Sequence, residues 1–97
     1  MEIREFQEVI RRTYLEKDRA RGTPATYMWL MEEVGELATA LREGTKEEQE
    51  GEFADVFAWL MTLANLAEVD MEKALAKYAT GCSGCGTIPC TCVGEKP

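Results

Sequence analysis

The sequence predicts an all-α fold, a helical bundle of about four helices, closed by a short Cys-rich metal-binding loop at the C-terminus. Three observations predict it. Apolar residues recur at helical spacing through the first two thirds of the chain. Helix-start chemistry stands at Thr23-Pro24, at Thr45-x-x-Glu48 and at Asp70. At residue 81 the periodicity stops, and four cysteines among glycines take its place.

Residues 2 to about 17 carry Ile3, Phe6, Val9, Ile10 and Tyr14 with charges between them, which predicts an amphipathic first helix. Residues 18–22, DRARG, are polar and end in Gly, which predicts a turn. Thr23 and Pro24 then suit an N-cap and a first helical position. The second helix is expected to reach about Glu43 and to end on Gly44, with a core stripe of Leu30, Val34, Leu37, Ala38 and Leu41. Thr45 and Glu48 form a capping box that starts the third helix, which is expected to run to about Glu68. Its stripe is Phe53, Val56, Phe57, Leu60, Leu63, Ala64 and Ala67. The short link between these two helices makes them antiparallel. Asp70 caps a short fourth helix from Met71 to about Tyr78. Residues 1–80 thus read as one helical domain, and residues 81–97 as a tail without a core of its own.

A chain of 97 residues makes one domain with a modest core, so oligomerisation or a metal staple would help it. Eighteen acidic against eleven basic residues give a net charge of −7, which disfavours binding to a nucleic acid polymer. Phosphorylated small molecules stay possible, because carboxylate-held metal ions can receive phosphates. The N-terminus opens on charges without an apolar signal region, and no apolar run reaches membrane-spanning length. A cytoplasmic protein is expected, in which cysteines read as metal ligands before disulfides. The absence of His excludes His-based triads and the Glu-x-x-His sites of di-iron carboxylate proteins.

Two acidic pairs, Glu33 with Glu36 and Glu52 with Asp55, read either as surface decoration of an acidic chain or as the ligands of a metal site. Each is spaced i, i+3, which sets both carboxylates on one helix face. Both flank apolar stripes, and both stand at matching distances from the hairpin link. An antiparallel pair would aim four carboxylates at one point, where mutual repulsion calls for divalent cations. Hard oxygen ligands suit Mg²⁺, which keeps open positions for substrate phosphates. Glu47, Glu48 and Glu50 read instead as first-turn acids complementing a helix dipole. In the tail, Cys82-x-x-Cys85-x4-Cys90-x-Cys92 offers four local thiolates to one tetrahedral Zn²⁺ of structural role, the alternatives being disulfides or a disordered Cys tail.

The run Glu32-Glu33-Val-Gly-Glu36, followed after fifteen residues by Glu52-Phe-Ala-Asp55, resembles the E-E-x-x-E … E-x-x-D signature of the MazG-like nucleotide pyrophosphohydrolases. Phe6-Gln7, Asn65 and the Asp70–Tyr78 segment extend the likeness over residues 2 to about 80. The resemblance implies an all-α homodimer or homotetramer that hydrolyses a nucleoside triphosphate between the α and β phosphates. It implies Mg²⁺ on Glu33, Glu36, Glu52 and Asp55. Glu32 does not share their direction, and reads either as a general base or supporting group of the catalytic set or as an exposed acid.

Lys77, which family members tend to keep, is the first candidate for substrate phosphate, followed by Arg19 and Arg21. Trp29 and Trp59 either wall a base pocket or pack a helix interface. Asn65 either reads a base or sugar or caps a bend in the third helix. The competing reading is a non-catalytic helical dimerisation module with a zinc-pinned tail. In that reading the four acids can become amides without loss of function.

Overall fold

A computed structural model describes residues 1–94, so the last three residues of the expected tail lie outside it. Helix α1 spans Ile3–Arg21, α2 spans Thr23–Glu43, α3 spans Lys46–Leu66 and α4 spans Met71–Ala74. A 3-10 turn, Leu75–Tyr78, continues α4 directly. No strand occurs among the described residues, and no helix among them is long and apolar enough to cross a membrane.

Several predicted boundaries move. The DRARG segment is the last turn of α1 and not a connection, and Gly22 alone turns the chain, with φ at 86°. That left-handed geometry favours glycine. Thr23 is accordingly inside α2 and does not cap it; Gly22 holds the cap position, without a side-chain cap bond, and Pro24 stands in the first turn. Thr26 Oγ1 instead donates to Gly22 O at 2.8 Å. The fourth helix keeps α geometry only to Ala74 before tightening.

The α2–α3 hairpin forms as its chemistry dictates. Thr45 Oγ1 accepts from Glu48 N at 3.1 Å while Glu48 Oε1 accepts from Thr45 N at 3.1 Å, which completes the capping box. At Gly44, an added Cβ would lie 2.8 Å from Ala40 O, so the link admits only glycine without a shift. Gln49 Nε2 donates to Ala40 O at 3.1 Å and straps the two helices beside the link.

Helix α3 packs between α1 and α2. The buried set comprises Met61, Thr62 and Ala64 of α3, Ile10 and Asp18 of α1, and Thr26, Leu30 and Ala40 of α2. Phe6 and Phe57 stack at 5.3 Å between centroids. Near the far end of α3, Gln7 acts as a polar hub. Its Nε2 donates to Asn65 Oδ1 and Val69 O, and its Oε1 accepts from Met71 N. This ties α1 to the α3–α4 corner. Asp70 caps α4 through Glu72 N at 3.0 Å.

The predicted core stripes are only partly interior. Leu30 is buried, but Val34, Leu41, Phe53, Phe57 and Leu60 remain exposed, Leu41 at 53% and Phe53 at 56%. Periodicity marks a face as apolar without saying what covers it, and three long helices in one layer cannot cover every apolar face themselves. The Cα radius of gyration of 15.8 Å exceeds the ~13 Å of a compact domain of this length.

A carboxylate cluster, an adjoining cavity and a four-cysteine knuckle

The α2–α3 hairpin brings the acids together. Carboxylate oxygens of Glu33, Glu36 and Glu52 lie within 4.8 Å of one another. Asp55 lies outside this tight group, yet its charge raises the proton affinity of both Glu33 and Glu52. Glu33 is pushed up to about 7, by burial first and then by Glu36, Asp55 and Glu52. Glu52 is raised by burial and then by Glu36 and Asp55. Glu33 Oε2 and Glu52 Oε2 are buried and have no hydrogen-bond partner. Buried, unpaired carboxylate oxygens that repel each other are costly, and a hard cation between them removes both penalties. The donor set therefore fits a divalent metal. Glu32 is exposed and outside the cluster.

Two depressions meet at Asp55. A groove of about 530 Å³ carries Glu36, Glu43, Glu48 and Glu52 along its walls. A cavity of about 310 Å³ lies between α1 and α3, walled by Ile10, Tyr14, Lys17, Asp18, Arg21 and Trp59. Asp55 lines both. Two cations, Lys17 and Arg21, reach this place, and Arg21 is held there: its Nη1 donates to Asp18 Oδ1 at 2.9 Å and to Thr26 Oγ1 at 3.3 Å, and its guanidinium sits 4.8 Å from the Trp59 ring centre. Trp29 and Trp59 stack with centroids 6.3 Å apart. Both therefore pack at the α2–α3 seam, and Trp59 also faces the cavity.

The other predicted substrate residues stand apart from the acids. Arg19 is exposed and lines neither depression. Lys77 is exposed on the 3-10 turn, with Nζ 5.3 Å from the Tyr78 ring centre. The amide of Asn65 is engaged by Gln7, accepting at Oδ1 and donating from Nδ2 to Gln7 O. Sequence reading missed Asp18, which is buried at 2% exposure. The available signal was its i, i+3 spacing from Arg21, the mark of one continuous helix.

In the tail, the four Sγ atoms of Cys82, Cys85, Cys90 and Cys92 lie within 4.8 Å of one another. All four are free thiols, and the cluster could hold a metal ion. Backbone amides point at the sulfurs: Gly84 N at Cys82, Thr91 N at Cys85 and Cys92 N at Cys90. The Thr87 hydroxyl and the Thr91 amide hold the Cys85 thiol down at about 5, while Cys90 and Cys82 push Cys92 up to about 11. Cys82 N donating to Thr87 O and Gly86 N donating to Cys82 O close the loop into a compact knuckle.

The regular elements of the described residues are thus all helical, with carboxylates gathered across a helical hairpin in a set that could hold a metal ion. A family model of the MazG nucleotide pyrophosphohydrolase domain matches residues 21–81. The chain belongs to that family. The matched span carries all four acids, and it leaves out nearly all of α1 and all four cysteines. No curated protein matches the chain. Family membership points to hydrolysis of nucleotides.

Proposed function

We propose that the protein is a Mg²⁺-dependent nucleoside triphosphate pyrophosphohydrolase, cleaving between the α and β phosphates to release a monophosphate and pyrophosphate. The observation that carries this reading is the Glu33, Glu36 and Glu52 cluster with its two buried, unpartnered oxygens. Glu33, Glu36, Glu52 and Asp55 would hold the metal. Bound there, Mg²⁺ would neutralise phosphate charge and acidify an attacking water. The chain's own part is to fix the carboxylates on two rigid helices joined by a capped, two-residue link, so that they need not reorganise when charge develops. Lys17 and Arg21 are the cations that line the cavity together with Asp55.

The four cysteines are assigned to one structural Zn²⁺. Sulfurs at the vertices of a tetrahedron 2.3 Å from zinc stand about 3.8 Å apart, and Cys82 Sγ and Cys92 Sγ are separated by 3.8 Å. Such a saturated site pins the tail and leaves no position for chemistry. A homodimer, in a cytoplasm that keeps the thiols reduced, completes the proposal. The exposed Val34, Leu41, Phe53 and Leu60 supply its interface.

The test is a product assay with ribo- and deoxyribonucleoside triphosphates and Mg²⁺ that separates pyrophosphate from orthophosphate. Monophosphate with pyrophosphate is expected, and Asp55→Asn and Glu36→Gln should each lose at least about a hundredfold in kcat/KM while staying folded. Orthophosphate alone would refute the cleavage position. No turnover by a folded protein would favour the non-catalytic dimerisation module.

A further inference from the structure

Asp18 is the least explained group in the molecule. Its side chain is 2% exposed, and Oδ1 accepts from Arg21 at 2.9 Å. Its other oxygen, Oδ2, is buried and has no partner. A buried carboxylate oxygen without a donor is costly, and native structures rarely leave one without a reason. The carboxylate lines the 310 Å³ cavity, so a ligand inside it can supply the missing donor.

The walls narrow down that ligand. Tyr14, Trp59, Ile10 and Ala58 offer ring and alkyl surface suited to a flat, weakly polar body. Charge is balanced around the cavity, Lys17 and Arg21 against Asp18 and Asp55, and the Arg21 guanidinium is already shared among Asp18, Thr26 and Trp59, so the walls carry no net charge to draw a phosphate. Asp55 lines both the cavity and the acidic groove. A nucleotide can therefore lie across Asp55, with its phosphates in the groove and its base in the cavity.

We infer that the cavity between α1 and α3 is a nucleobase pocket in which Asp18 Oδ2 accepts a hydrogen bond from an exocyclic amino group, so that amino-bearing bases such as cytosine and adenine are selected over their oxo counterparts uracil and hypoxanthine. This rests on the nucleotide reading given above. An oxo group in the same place would set an acceptor against an acceptor, leaving both unpaired. Sites that hydrogen-bond a substrate donor reject the analogue without it far more strongly than apolar sites do.

The experiment measures binding of dCMP against dUMP, and of dAMP against dIMP, by calorimetry with Mg²⁺ present, alongside kcat/KM for dCTP and dUTP. Wild-type protein should favour the amino member of each pair by about 10- to 100-fold. Asp18→Asn keeps an oxygen for Arg21 and turns a donor into the cavity, so the cytosine-to-uracil ratio should fall by at least about tenfold and move toward uracil. Equal binding of both members by wild type overturns the proposal, as does an Asp18→Asn variant that weakens all bases alike. If no triphosphate is hydrolysed, the hydrolase reading fails, and the monophosphate pairs still decide the pocket. If the variant does not fold, the wild-type pairs decide it.

Discussion

Replacing Glu33 by Gln should stabilise the metal-free protein at neutral and alkaline pH. Burial and three neighbouring carboxylates lift the Glu33 carboxyl from 4.5 to about 7. Between those values the folded chain holds a proton that the unfolded chain has released. Stability therefore falls as pH rises from 4.5 to about 7, and the loss is complete above that range. At about 1.4 kcal/mol per decade of proton affinity, the limit is roughly 3 kcal/mol. Water reaching the half-buried cluster reduces it to about 1–1.5 kcal/mol. An amide of the same shape escapes this penalty. The expected gain in Tm at pH 8 without divalent ions is about 5–10 °C, shrinking toward nothing at pH 4.5. Millimolar Mg²⁺ should reverse the order, raising the Tm of wild type and much less that of Glu33→Gln, because the ion needs the charge that the amide lacks. Calorimetric melts of both proteins across pH, with and without Mg²⁺, provide the assay. A variant that melts at or below wild type at pH 8 without divalent ions would refute the account of a repulsive cluster.

Three further outcomes follow from the fold. Elemental analysis should find one zinc per chain, lost in Cys85→Ser, with helical circular dichroism largely kept because α1 to α3 do not depend on the knuckle. Thr45→Ala breaks the capping box and should cost about 1 kcal/mol, seen as a Tm drop of about 5 °C. Phe53→Glu places a charge on the exposed apolar face and should shift the sedimenting species from a dimer to the 10.9 kDa chain.

Local chemistry was the legible part of the sequence. The capping box at Thr45 and Glu48 and the Asp70 cap are short-range bonds among neighbours in the chain, so residue type and spacing nearly determine them. The helical class followed from apolar periodicity for the same reason. The acids' i, i+3 spacing gave each pair its common face, but the closeness of Glu36 to Glu52 depends on how the hairpin packs, which spacing leaves open. DRARG misled because a run of polar residues before Gly has the composition of a turn. In the fold, Asp18 and Arg21 pair along one helix and are drawn into the α1–α2 corner by Thr26 and Trp59. Burial of a charge by residues from two other helices has no signature in the local sequence. The same limit applies to Val34 and Phe53, whose apolar character is plain and which the chain's own helices leave exposed.

The cavity beside Asp55 has its walls on two different helices. The wall from α3 is built from residues one turn from the acids, so any change there disturbs the geometry of the carboxylates as well. The wall from α1 carries Tyr14, Lys17 and Asp18 on a helix that contributes nothing to the carboxylate cluster. That helix is joined to the hairpin by a single glycine at one end and by the Gln7 hub at the other. On this wall Tyr14 and Lys17 are exposed, so they can be replaced without opening the buried set to which Ile10 and Asp18 belong. Engineering of ligand preference at the proposed pocket therefore belongs at Tyr14 and Lys17.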